Sequence, residues 1–183
     1  MRLPNLVSVS GGAILLALLS GCVPSDAATP PQPTPTFVAP YATDEEALAA
    51  AEEAYGEYVR VMREFYSEVP TDPAPIYEVA SGEHLEDLLL EFDERAAKET
   101  YILGEQSFDQ IVLQRYSHEG STNEVIAVYL CDDLSGMSIY RHGEKIGPEN
   151  PVLPSLTQVV FDFDENSDSL KVSARDLWES GSC

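Results

Sequence analysis

The chain has 183 residues, with 32 acidic against 10 basic side chains, a net charge of −22 and a sequence pI of about 4.1. So acidic a surface repels nucleic acid and anionic lipid headgroups, which excludes polyanion binding as a function class. Hydrophobic residues make up 44% of the chain, enough for a packed core and too many for a disordered protein. The acids are spread along the chain without a long block, the pattern of a solvated surface and not of a dedicated acidic tail.

The chain opens with Met1-Arg2 and reaches an uninterrupted apolar run at Ala13–Leu19. That run suits the core of a signal peptide and is far short of the ~20 residues that cross a bilayer as a helix. Leu19-Ser20-Gly21-Cys22 follows. An aliphatic residue, two small residues and a cysteine resemble the lipobox of bacterial lipoproteins. The resemblance implies cleavage after Gly21, lipidation of Cys22 and a place on the outer face of the cell membrane, with the bilayer as a partner. Loss of Arg2 with residues 1–21 leaves the mature chain one unit more negative. A second acyl chain makes such an anchor stable where one alone is marginal.

Residues 22–42 read as the lipidated cysteine and a Pro/Thr/Ala tether, with Pro30, Pro31, Pro33 and Pro35 close together. Such a segment has little to bury and favours extended polyproline II, able to span roughly 60 Å at ~3.1 Å per residue. Residues 43–183 then read as one domain.

Thr43-Asp44-Glu45-Glu46 has the spacing of a capping box. Leu48, Ala51, Tyr55, Val59, Met62 and Tyr66 recur at helical period, predicting a helix over 44–68. Pro70, Pro73 and Pro75 break it, and Ile76–Ala80 reads as a short turn. Ser81 is placed to cap a second helix over 82–99, with Leu85, Leu88, Leu89, Phe92 and Ala96 along one face.

The period then changes. Phe108–Tyr116 and Glu124–Asp132 are rich in β formers and read as a hairpin around His118–Asn123. Val125–Leu130 is apolar on both faces, as a central strand is. Met137–Arg141 reads as a short strand and 143–154 as a loop. Val159, Phe161 and Phe163, then Leu170, Val172 and Ala174, alternate with polar neighbours around a turn at Asp164–Asp168, a second hairpin.

Helices followed by antiparallel strands give an α+β class. Together with Ser107-Phe108-Asp109, Val128-Tyr129-Leu130-Cys131-Asp132 and the Trp178–Cys183 end, this order resembles the nuclear-transport-factor-2-like fold, the cone shared with ketosteroid isomerase, as it occurs in actinobacterial lipoproteins. The resemblance implies N-terminal helices on one strongly curved antiparallel sheet, and brings no assigned chemistry.

Cys22 aside, Cys131 and Cys183 are an even pair expected to bridge in an oxidising compartment, with free thiols or a redox pair as the alternatives. Asp162, Asp164, Asn166 and Asp168 copy the alternating oxygens of an EF-hand loop. Ser167 replaces the turn glycine and Ser173 the bidentate glutamate, so an acidic hairpin turn is the plainer reading and no metal is assigned. Tyr129, Asp132, Tyr140 and His142, with Asp133, lie where strands could line a cone mouth and are the pocket candidates. In plainer terms Tyr129 is core, Asp132 ends a strand and His142 sits in a glycine turn. His84 and His118 read as solvated. Tyr55, Tyr58, Phe65, Tyr66, Tyr77, Phe92 and Tyr101 are core or cavity wall, and Trp178 covers the core beside the proposed bridge. No nucleophile motif, phosphate loop or zinc spacing is present, so no cofactor and no catalytic residue are assigned. The leading expectation is a non-enzymatic, surface-anchored module that binds an envelope protein or a small apolar ligand. The alternative is a small cone-fold enzyme of isomerase or dehydratase type using Asp, Tyr and His.

Overall fold

A computed structural model describes residues 37–120, 123–150 and 152–183. Cys22, the expected signal peptide and most of the expected tether lie outside the described residues. Structure begins upstream of the expected boundary at Thr43. Strand β1 (Phe37–Val38) pairs with β4 (Glu119–Gly120), and the Ala39 amide donates to the His118 carbonyl at 2.8 Å.

Helix α1 (Asp44–Tyr66) starts as its capping residues dictate. The Thr43 hydroxyl accepts from the Glu46 amide at 3.2 Å, and Glu46 reaches back to the Ala42 amide at 2.9 Å. The buried stripe is Ala47, Ala51, Tyr55, Tyr58, Val61, Met62 and Phe65, displaced from the expected Leu48, Val59 and Tyr66. Those three residues are half-buried beside it, because α1 touches the sheet on one flank and α2 on the other. The short turn expected near Ile76 is a one-and-a-half-turn helix, α2 (Ala74–Val79).

Helix α3 (Gly82–Lys98) follows. Ser81 occupies its N-cap but makes no capping bond; its hydroxyl donates instead to Asp162 at 3.0 Å. Strand β2 (Thr100–Leu103) follows α3 after a single left-handed residue, Glu99. The sequence pattern assigns no strand there. A four-residue apolar run after a helix has too little length to declare its period.

Strands β3 (Ser107–Tyr116), β5 (Glu124–Asp133), β8 (Ser155–Asp164) and β9 (Ser169–Ser182) form an antiparallel sheet in the order β3-β5-β8-β9. Both expected hairpins are present, and β5 is interior as its double-sided apolar run requires. Strand β6 (Ser138–Arg141) pairs with β2 on one side and with β7 (Glu144–Gly147) on the other. Residues 144–147 are therefore strand and not loop. The class is α+β with antiparallel sheets. The strands divide between a four-stranded and a three-stranded sheet, with the β1–β4 ladder apart, where one sheet was expected.

The helices cover one face of the four-stranded sheet. Tyr55, Met62, Ile76, Ile126, Val128, Leu130, Val159, Phe161 and Val172 meet there, each essentially inaccessible to water. Beyond β9, Cys183 forms a disulfide with Cys131 on β5, their Cα atoms 5.8 Å apart. Among the described residues no helix is long and apolar enough to cross a membrane.

Candidate functional site

Partners in an antiparallel ladder project to the same face of the sheet. Val128 faces Val159, and Val159 faces Arg175, so Arg175 shares the core side with two fully buried valines. Simple alternation along β9 puts Arg175 outside with Lys171 and Ser173. A register shift corrects this. Phe161 pairs with Val172 and Val160 with Ala174, which leaves Ser173 as the extra residue of a β-bulge and reverses the phase beyond it. The bulge also seats the start of α3: the Ser81 amide donates to the Val172 carbonyl at 2.9 Å.

Turned inward, Arg175 meets Asp132, a wholly buried carboxylate at the end of β5. One guanidinium nitrogen bonds Asp132 Oδ2, and Arg175 Nε donates to the Tyr55 hydroxyl at 3.2 Å. Tyr55 donates to the same Oδ2 at 2.9 Å, and Gln106 Nε2 donates to Oδ1 at 2.8 Å. Both carboxylate oxygens are thus satisfied, as burial demands. Burial works against the Arg175 charge, but Tyr55 and Asp132 outweigh it and hold the group above its usual pKa. Burial likewise pushes the Tyr55 hydroxyl well up. Asp132 is therefore an anchoring group that orients Arg175 and Gln106.

Arg175 and Gln106 form part of the floor of a cavity of about 230 Å³. Tyr58 and Tyr66 of α1 and Glu91 of α3 complete that floor, and Ile102, Leu134, Met137, Ile139, Pro148 and Val152 form its walls. The loop before Gln106 is held close to the turn before β6. A Cβ at Gly104, whose φ is +118°, would fall 2.0 Å from the Gly136 carbonyl oxygen. Only glycine accepts both that approach and that conformation.

Burial also shifts the groups beside Arg175. Tyr66 donates to Glu91 Oε2 at 3.1 Å. Burial raises the Glu91 pKa, opposed by the Tyr66 hydrogen bond and by Arg95. The Tyr58 hydroxyl lies 2.9 Å from His84 Nε2. Burial, and then repulsion from Arg175, lowers the His84 pKa to about 4, so the ring is neutral at ordinary pH. His84, read from sequence as solvated, is instead a half-buried partner of the cavity floor.

The sequence candidates divide. Asp132 stands behind the floor. Tyr129 projects to the opposite face of the sheet, edge-on to Trp178 with ring centroids 5.2 Å apart. Trp178 is 45% exposed there and does not cover the core. Tyr140 stacks on Tyr101 at 5.6 Å, outside the cavity lining. His142 is exposed at the β6–β7 turn, 3.4 Å from Glu99 Oε2. Asp133 takes the Ser135 amide at 2.8 Å as a turn cap. The EF-hand-like oxygens do not converge. Asp162 accepts from Ser81, while Asp164 caps the Asn166 amide at 2.9 Å and pairs with Lys171 at 2.7 Å. Asp168 holds a left-handed turn position. Among the described residues no group of three or more metal-ligating side chains gathers. Tyr58 and Tyr66, read from sequence as core or cavity wall, line the cavity. The sequence marks none of Arg175, Gln106 and Glu91: the bulge conceals the first, and nothing in the pattern points to the others.

The chain matches no protein-family model and no curated protein sequence. Its fold is similar to that of the intermembrane space region of the chloroplast protein ARC6, with TM-score 0.52 and 12% identity over 73% of this chain and 97% of that one. At that identity the likeness is one of fold alone. Fold and cavity together define the class: an α+β domain with a half-open apolar cavity over a hydrogen-bonded polar floor.

Proposed function

We propose that the chain is a lipoprotein anchored through Cys22 at the outer face of the cell membrane, and that its domain binds a small, largely apolar ligand in this cavity. The cavity's construction carries the reading. Six apolar side chains wall a space whose polar floor is already internally paired, the usual composition of a small-molecule site. Helices laid on one face of an antiparallel sheet, with a cavity at the strand ends, support the cone-like, nuclear-transport-factor-2-like reading. The Leu19–Cys22 motif supports the anchor.

Two experiments separate the halves of this proposal. Cys22→Ser releases the protein from the membrane fraction; a variant that stays bound refutes the anchor. Ile139→Trp fills the cavity and abolishes binding of apolar probes without unfolding the chain; unchanged binding refutes the site.

One observation favours a second reading, an acid–base enzyme. Glu91 is a half-buried carboxyl of raised pKa, hydrogen-bonded to Tyr66 at the cavity floor. Under that reading Glu91→Gln abolishes turnover of a ligand that wild-type protein converts. Under the binding reading no ligand is converted by either.

A further inference from the structure

Beside the cavity, and sharing Glu91, Ile102 and Ile139 with it, lies a second recess of about 290 Å³ between α3 and the β2–β6–β7 sheet. In a chain with only 10 basic residues, three of them, Arg95, Lys98 and Arg141, line this recess. Lys98 is paired with Glu94. Among the described residues neither Arg95 nor Arg141 forms an ion pair.

Arg95 is 5% exposed. Its Nη2 donates to the carbonyls of Tyr66 and Glu68, both at 3.0 Å, closing the C-terminal end of α1, and its guanidinium lies 4.7 Å from the Tyr66 ring centroid. That accounts for one nitrogen. Nε and Nη1 of Arg95 and Nε of Arg141 are buried with no hydrogen-bond partner. Buried guanidinium donors left unpaired are costly, and a charge-assisted bond to an anion is what removes the cost. Burial also pulls the Arg95 pKa down, with Glu91 and Tyr66 opposing, as for a cation short of counter-charge.

Resting on the proposed ligand cavity, we infer that its ligand is a single-chain amphipathic anion, with the acid group in the Arg95–Arg141 recess and the apolar chain passing Ile102 and Ile139 into the cavity. The two halves of such a molecule match the two halves of the space. Arg95 and Arg141, which form no ion pair among the described residues, line one together with the Lys98–Glu94 pair and Glu91, and the walls of Met137, Pro148 and Val152 lie in the other. Fatty acids and lysophospholipid acids share this chemistry. The chain's overall negative charge repels anions in general, so the apolar body must supply the selectivity.

The test is calorimetric titration of the full chain carrying Cys22→Ser, with decanoate, decan-1-ol, decyl phosphate and acetate as probes. Decanoate is expected to bind about tenfold or more tightly than the alcohol, the worth of a hydrogen bond to a charged group. Acetate is expected not to bind. Arg141→Gln is expected to bring decanoate down to the affinity of the alcohol and to leave the alcohol unchanged. This is the informative variant, since Arg95 also closes α1. Tighter binding of decyl phosphate than decanoate assigns the headgroup as a phosphate, and the reverse assigns a carboxylate. Equal binding of acid and alcohol with a silent Arg141→Gln overturns the inference and leaves the cavity reading standing. Acetate binding as well as decanoate also overturns it. Failure of all four probes overturns both readings.

Discussion

Val159 and Arg175 face one another across the β8–β9 ladder, and the face they share carries the guanidinium to Asp132. One extra residue, Ser173, decides that arrangement. Without the bulge, the cation would lie in solvent and Asp132 would be buried without a counter-charge.

Removing one member of this pair leaves an uncompensated buried charge. Asp132→Ala and Arg175→Met are each expected to lose about 3–5 kcal/mol in urea unfolding, while the double variant Asp132→Leu/Arg175→Met loses less than either single change. Additive losses would show that the two residues act independently.

His84 makes stability depend on pH. In the unfolded chain it titrates near the ordinary 6.5, and in the folded protein at about 4. Between those values the unfolded state binds more protons, so stability falls as pH drops from about 6.5 toward 4 and is fully present above 6.5. His84→Phe is expected to flatten this slope relative to wild type in urea midpoints measured across that window. An NMR titration placing the His84 transition near 6.5 would contradict the buried contact with Tyr58.

At Gly104 any side chain meets both a positive φ and the Gly136 carbonyl. Gly104→Ala is expected to cost about 1–3 kcal/mol, the range for a strained backbone position. It should also weaken ligand binding, by displacing Gln106 and the Leu134–Met137 side of the cavity. Thermal unfolding with ligand titration reads both effects.

The Cys131–Cys183 bond closes a separation of 52 residues. In the chain-entropy model such a loop is worth about 4 kcal/mol, an upper figure. Reduction, or Cys183→Ser, is expected to lower stability by up to that amount and to release the end of β9. Intact-mass spectra of unreduced protein should show the two thiols bonded and no reaction with alkylating reagent.

Elements with a clean period were legible in the sequence: α1 from its capping box, α3 from its leucines, β5 from its double-sided apolar run, and the β8–β9 hairpin from its alternation. Elements shorter than a period were not. Thr100–Leu103 and Glu144–Gly147 are strands only because β6 lies between them. The site was harder still. Asp132 stands out in the sequence as an acid at a strand end, but simple alternation puts its partner Arg175 on the wrong face, because a bulge leaves no mark in the pattern. Arg95 lies within the expected helix 82–99, and only tertiary packing shows that its charge is buried. Tyr129 was misplaced by one strand face: every residue of β5 from Val125 to Leu130 looks apolar, and periodicity alone does not say which side the helices cover.

The ladder of β1 with β4 fastens the start of the domain to one end of the fold. Phe37 and Val38 pair at the Tyr116 end of β3, and Tyr116 grips Tyr41 through a hydroxyl that takes its amide at 3.1 Å and donates to its carbonyl at 2.6 Å. The cavity lies at the other end of the same strand, about 30 Å away for ten residues of β structure. The start of the domain is thus fastened at the end of β3 remote from the cavity, so a change in the β1–β4 ladder or the tyrosine clasp touches none of the residues that line the cavity.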